Sequence, residues 1–329
     1  MISLNDYLYS GDTVLKIMHN YSDDLKKAGI ENHNAMDLAH SNFLLQFIEL
    51  LEHNDFLTSQ SQRIREFYKL MAKEYPFLAF TFKGRIKSLI RAEEKFNGYV
   101  VEKVYDYYRE NGRCPAVPEI KDNMSYFRDL IAYRIVISMP ECHLEKGKDR
   151  EEAELKYLYE IANMLPDFLE ERGFSVMVSA IDEHEASEQL KTSVRPYYRD
   201  YVNNPNAYGY RSLHVTFFDN IARCYIEVQL RTKDMDDFAE IGPANHLGYE
   251  KRQENERSKR DMIPEGECVF FDEAFERGQL LQNLDLSKLR VNMFGAANNS
   301  LINDGCGLYR GRLILPFEHL SRFQNDLID

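Results

Sequence analysis

From Cys224 to Leu230 apolar and polar positions alternate without a break, with Cys224, Ile226, Val228 and Leu230 on one side and Tyr225, Glu227, Gln229 and Arg231 on the other. A period of two is that of a strand with one face in the core. Just upstream, residues 209–218 read as a second strand, in which Ser212, His214 and Thr216 alternate against Leu213, Val215 and Phe217. Asp219-Asn220 between the two is a turn signal, so the spacing predicts an antiparallel pair. A sheet face carrying Tyr, His, Glu, Gln and Arg suits a phosphate and metal site better than a core.

Around this pair the pattern predicts helices and further strands. Asp12 or Thr13 caps a helix running to about Lys27, residues 34–53 carry a strongly apolar stripe, and Thr58-Ser59 caps another helix ending near Pro76. From Ala79 a helical pattern runs to about Glu110, interrupted at Asn97-Gly98, and Lys87, Arg91 and Lys95 share one face at spacings of four. Residues 130–137 form an apolar run of buried-strand type with Asp129 at its mouth. Asp129 and Arg134 are five apart, so one site can use both only if the strand starts after Asp129 or carries a bulge. A charged amphipathic helix over 150–172 is ended by Gly173, a strand follows over 174–181, and 182–193, polar and patternless, reads as a mobile loop. Residues 235–249 read as helix, 250–261 as helix or linker, and short strands are expected over 268–271 and 312–316. The expectation is an α+β chain with a helical region over 1–75, a central domain over 76–255 and a C-terminal segment over 256–329.

At 329 residues, 44% of them hydrophobic and 29% charged, the composition is that of a soluble globular protein with room for a full core. No apolar run approaches a membrane span and the N-terminus lacks the order of a secretory signal, so a cytoplasmic location is expected. The five cysteines are scattered and form no C-x-x-C pair, which points away from zinc and from disulfides. The net charge of −13 works against extended nucleic-acid binding. A polyanion must meet a local patch, and Lys83, Arg85, Lys87, Arg91 and Lys95 lie within thirteen residues while Arg195, Arg199 and Arg211 flank the central strands.

Asp129 and Glu227 stand on separate strands among these cations. Mg²⁺ takes one or two carboxylates plus substrate phosphate oxygens, and a transferring phosphoryl group needs positive charge around it. Tyr210, preceded by Gly209, can offer its ring to a base.

Five ordered segments carry a resemblance: R-x-K-S at 85–88, D-L-I-A-Y-R-I-V at 129–136, R-D-Y at 199–201, G-Y-R-S-L-H at 209–214 and E-V-Q-L-R-T at 227–232. Together they resemble the synthetase domain of the RelA/SpoT family, whose members move the β,γ-pyrophosphate of ATP to the 3′-hydroxyl of GDP or GTP to make (p)ppGpp. The resemblance implies a nucleotidyltransferase-like mixed sheet wrapped by helices, with an N-terminal helical extension. It implies that Asp129 and Glu227 hold Mg²⁺, that Arg85 and Arg134 meet the ATP adenine, and that Lys87 and Lys95 meet its phosphates. Arg85 and Lys87 then count with the two carboxylates as catalytic. On the acceptor side it implies Tyr210 under the guanine, with Arg199, His214 and Gln229 lining the pocket. The family's Lys and Asn ahead of G-Y are Asn206 and Tyr208 here, and its basic-x-Lys-Asp is Tyr197-Tyr198-Arg199-Asp200, which opens the choice of acceptor. Alternatives within the resemblance are a toxin-like member that modifies the 3′-end of tRNA and a catalytically silent nucleotide-binding regulator. The His-Asp dipeptide of the family's hydrolase domain does not occur in the chain, so a synthetase-only member is implied, with self-association through the terminal helices as a further expectation.

Overall fold

The computed structural model describes residues 1–52, 55–86, 89–119, 128–179, 186–206, 209–241, 259–284, 308–309 and 312–313. The chain divides into two compact units. One contains the helices α1 (Asn5–Leu8), α2 (Val14–Glu31), α3 (Ala35–Glu52) and α5 (Leu89–Asn111), together with α8 (Val269–Gln282) and the short hairpin β7 (Leu308–Tyr309) and β8 (Arg312–Leu313). The other contains α4 (Asp55–Glu74), β1 (Ala79–Ile86), β2 (Ile131–Ser138), α6 (Arg150–Glu170), β3 (Phe174–Val176), β4 (Tyr198–Asp200), β5 (Leu213–Asp219), β6 (Cys224–Thr232) and α7 (Lys233–Ile241).

The helical unit closes over a buried polar cluster. Thr13 caps α2 by accepting from the Lys16 backbone N–H at 3.3 Å, as the sequence predicts. Glu93 of α5 is wholly buried and accepts from Tyr21 Oη at 2.8 Å and Asn97 Nδ2 at 3.0 Å, with His40 Nε2 2.7 Å away. Burial pushes the Glu93 carboxyl up, yet His40, Tyr21 and Arg277 outweigh it and hold the group below its ordinary value. Arg277 of α8, also buried, donates to Asp37 at 2.7 Å.

The sheet of the second unit runs β1-β2-β6-β5-β3, with β4 also paired to β5. The β2–β6 pair is parallel and the other pairs are antiparallel, so the sheet is mixed. One face carries Ile131, Tyr133, Ile135, Val215, Phe217, Ile226, Val228 and Leu230, all buried. Helices α4 and α6 are tied to that face by side chains: Tyr133 donates to Gln60 at 2.8 Å, Gln60 and Arg63 donate to the buried Asp219 at 2.9 and 2.6 Å, and Tyr198 donates to the Ala162 carbonyl at 2.6 Å. Each buried polar group of the seam meets a partner, which avoids a desolvation cost of roughly 1–3 kcal/mol apiece.

Several expectations are corrected. Residues 79–86 are strand, not helix: Phe80, Phe82 and Gly84 alternate against Thr81 and Lys83, and the segment pairs with β2 along its whole length. Its own basic residues, Lys83 and Arg85, are two apart, which is a strand spacing, and the spacing of four that suggests a helix begins only at Lys87. Helix α5 runs through Asn97-Gly98 because the Asn97 side chain bonds back to the Glu93 carbonyl at 2.9 Å and Gly98 faces open space. Helix α4 begins at Asp55, before the expected cap. Cys268 is the residue ahead of α8 and not part of a strand, with Phe271 buried in the helix. Strand β5 begins only at Leu213. The loop expected over 182–193 has an anchored second half, since Leu190 is fully buried and Asn163 bonds the backbone of Gln189 and Lys191 at 2.9 and 2.7 Å. Helix α6 ends as expected before Gly173, whose φ of +85° needs glycine.

Candidate active site

The register sets the second face of the sheet. Arg199 stands opposite His214, His214 opposite Gln229, and Gln229 opposite Arg134, so one polar rung crosses β4, β5, β6 and β2. The neighbouring rung is Thr216, Glu227 and Ala132. Alternation thus delivers what the sequence predicts for Glu227, Gln229 and His214. It adds that the polar face is not open to water: Glu227, Gln229, Arg231, His214 and Arg134 are all at most 8% exposed.

Glu227 is the electrostatic centre of this face. Its Oε1 accepts from Gln229 Nε2 at 2.6 Å, its Oε2 accepts from Arg199, and His214 Nδ1 lies 3.4 Å from Oε2. Burial pushes the carboxyl up, but His214, Arg199 and Gln229 more than offset it and hold it well below the usual carboxylate range. His214 is held below its ordinary value, first by its own burial, with Glu227 opposing and Arg199 and Arg231 adding to the effect. At neutral pH the pair is therefore a carboxylate beside a neutral imidazole. Such an anion, ringed by movable donors, can hold a hard cation whose remaining ligands are phosphate oxygens.

Tyr210 lies in the stretch before β5. Gly209 enters it at φ +73°, so glycine is needed there for its left-handed backbone and not for close approach, since an added Cβ would meet Phe238 only at 3.6 Å. Asn206 sets the turn by accepting the Tyr210 N–H at 3.1 Å. The Tyr210 hydroxyl is 2.8 Å from His214 Nε2 and accepts from Arg231, whose guanidinium sits over the Tyr210 ring at 4.9 Å. Tyr201 packs edge-on to both Tyr210 and His214, at 6.0 and 5.1 Å between centroids. A half-exposed aromatic ring, braced on its edge and one face, is a platform for a planar base.

The remaining predicted residues fall in different places. Asp129 is half-buried in the turn just ahead of β2, which begins at Ile131, so the strand does start after Asp129 as a shared site requires. Ile131 pairs with Ile226 on the parallel neighbour, so Asp129 and Glu227 belong to the same end of adjacent strands. Arg134 is in the polar rung and donates to Asp236 at 2.8 Å. Arg85 stands opposite Ala132 in the ladder, at the level of Glu227. Lys87 lies outside the described residues, and Lys95 is on α5 in the helical unit. Of the flanking cations, only Arg199 reaches the polar face: Arg195 donates to the Leu190 carbonyl at 3.0 Å and Arg211 pairs with Glu151 at 2.6 Å. Asp200 turns to the opposite face, where it is buried and accepts from Tyr159 and from the backbone of Ser187, Val202 and Asn203.

Asp236 was not legible as a site residue. In the chain it is one of several acids in K-D-M-D-D, and only the turn from β6 into α7 brings it under the sheet. Arg231 could have been found, because it continues the polar alternation of Glu227 and Gln229.

A family model described as a region found in RelA / SpoT proteins matches residues 84–254, just over half of the chain. Among curated relatives, the GTP pyrophosphokinase rsh of Brucella ovis is 37% identical over 84 residues, which are 24% of this chain and 11% of that protein. The bifunctional (p)ppGpp synthase/hydrolase SpoT of Escherichia coli K12 is 43% identical over 56 residues, 17% of this chain and 8% of that one. The aligned segment thus spans about a tenth of the length of these relatives. Among solved structures, small alarmone synthetase 2 of Bacillus subtilis is 18% identical, with 73% of this chain and 97% of that chain covered and a TM-score of 0.33.

Proposed function

Because the chain belongs to the RelA/SpoT family, we propose that it is an ATP-dependent pyrophosphokinase that transfers the β,γ-pyrophosphate of ATP to the 3′-hydroxyl of GDP or GTP. The observation that carries this reading is the buried polar face centred on the ionised Glu227, with Arg134 at one side and the Tyr210 platform at the other.

In this reading Asp129 and Glu227 would hold Mg²⁺. Mg²⁺ held there would supply positive charge to the substrate phosphates. Two oxygen-donor side chains at the same end of adjacent strands fit a hard cation whose coordination the substrate completes. Arg85 and Arg134 serve the adenine side, and Lys87 and Lys95 the phosphates. Tyr210 stacks on the guanine, His214 and Gln229 line the acceptor side, and Arg199, now on Glu227, can turn to phosphate when a cation takes its place. Transfer is then largely positioning and charge stabilisation. Free nucleotides as substrates fit the acidic chain better than an extended nucleic acid, which needs a long basic track. Among the described residues no helix is long and apolar enough to cross a membrane, and a cytoplasmic location accords with such substrates.

The test is incubation with Mg²⁺, γ-labelled ATP and, separately, GDP, GTP and deacylated tRNA. Label on GDP or GTP is expected. Label on tRNA in preference to both would establish the other acceptor, and no label with any acceptor would leave a silent nucleotide binder.

A further inference from the structure

The Asp236 carboxylate is buried between two guanidinium groups. Its Oδ1 accepts from Arg134 Nη1 at 2.8 Å and from Arg231 Nη1 at 3.2 Å, and the three residues are 4%, 8% and 3% exposed. Arg231 goes on to Tyr210 Oη, to Gln229 Oε1 at 2.9 Å and to Ser212 Oγ at 3.3 Å. Burial pulls the Arg231 guanidinium below its ordinary range while Tyr210 and Asp236 oppose the shift, so this cation depends on its partners. Two cations meeting at one oxygen cannot move independently: a shift of Arg134 toward a ligand changes what Asp236 offers Arg231, and through it the Tyr210 ring.

On the pyrophosphokinase reading, on which it rests, we propose that Asp236 is a positioning residue that couples the ATP side of the site to the acceptor side, setting Arg134 and, through Arg231, the Tyr210 platform together. Removing its charge takes away the carboxylate that both buried guanidinium groups share, so both should drift from their places. An acid in the first turn of α7 also suits the helix dipole. That role alone would affect folding but would not link two substrates.

The experiment uses the full chain with Mg²⁺ and measures KM for ATP and for the guanine nucleotide, each with the other saturating, in wild type, Asp236→Asn, Tyr210→Ala and the double variant. Asp236→Asn should raise both KM values about tenfold or more, whereas Tyr210→Ala should raise only that of the acceptor. In the Tyr210→Ala background, Asp236→Asn should add nothing further to the acceptor KM and still raise that for ATP. A fall in kcat with both KM values within about twofold of wild type would mark a purely structural role and overturn the inference, as would additive effects on the acceptor KM. If thermal melting shows that Asp236→Asn does not fold, Arg231→Lys replaces it. That variant should raise the acceptor KM by more than that for ATP, and an unchanged acceptor KM would equally refute the coupling. Wild type that labels no guanine nucleotide defeats the pyrophosphokinase reading and this inference together, while active wild type whose Asp236→Asn variant keeps both KM values within about twofold defeats the inference alone.

Discussion

Glu227→Gln separates chemistry from stability, because the two effects differ in size for reasons visible in the structure. The amide keeps the carbonyl that accepts from Gln229, but it presents N–H groups where Arg199 now donates to a carboxylate. A hydrogen bond to a charged partner contributes about 1.5–3 kcal/mol when both groups are buried. The Arg199 side chain is 33% exposed and can turn to water, so the net loss is cut to about 1 kcal/mol. That corresponds to a melting shift of roughly 2–4 °C for a unit of this size. Against a typical total of about 5–15 kcal/mol, well over nine-tenths of the molecules stay folded. On the proposed reading the rate should nevertheless fall at least about a hundredfold, since the carboxylate that would hold the cation is gone. The assay pairs label transfer from ATP with thermal melting of the same preparation, and Asp129→Asn should show the same split. Near-normal synthesis by Glu227→Gln would refute the site. A rate loss matched by an equal loss of folded protein would reduce Glu227 to a structural residue.

Tyr210→Phe removes the hydroxyl shared by His214 and Arg231 and should cost about 1 kcal/mol of stability while leaving acceptor KM within a few-fold, because Arg231 still sits over the ring at 4.9 Å; Tyr210→Ala should weaken acceptor binding by about 1–3 kcal/mol, and equal damage from both would show that the hydroxyl matters and the ring does not. The folded-state pKa of both His214 and Glu227 is depressed, so the unfolded chain takes up their protons first as pH falls. Melting temperature should therefore drop on acidification below the ordinary histidine range and drop further below the ordinary carboxylate range, and His214→Gln should flatten the first part of that curve; a protein more stable at pH 5 than at pH 7.5 would contradict the assignment. In the helical unit, Glu93→Gln leaves His40, Tyr21 and Asn97 around a neutral group and should cost about 3–5 kcal/mol in denaturant unfolding, in the range for a broken buried pair; a change below about 1 kcal/mol would mean that the cluster is not held by charge.

The alternation from Cys224 to Arg231 determined by itself that Glu227, Gln229 and Arg231 share a face, because a strand has only two sides and a one-residue slip would bury the wrong one. The apolar run after Asp129 likewise determined a buried strand, and the caps at Thr13 and Gly173 set helix ends, since each depends on residues within one turn of chain. Tertiary structure decided what rests on partners distant in sequence. Residues 79–86 open a stretch whose later cations, Lys87, Arg91 and Lys95, are spaced as on a helix, yet β2 offers 79–86 a full ladder of hydrogen bonds, and pairing with it makes them the edge strand of the sheet. Arg199 and Asp200 are adjacent, and the pleat sends one to Glu227 and the other to Tyr159 on the opposite face. Arg195 and Arg211 look equivalent to Arg199 in the chain, but Leu190 and Glu151 claim them first. Asp236 gains its place because α7 leaves β6 at an angle that no local pattern records, which puts one carboxylate between two arginines, Arg134 and Arg231, that lie 97 residues apart in the chain.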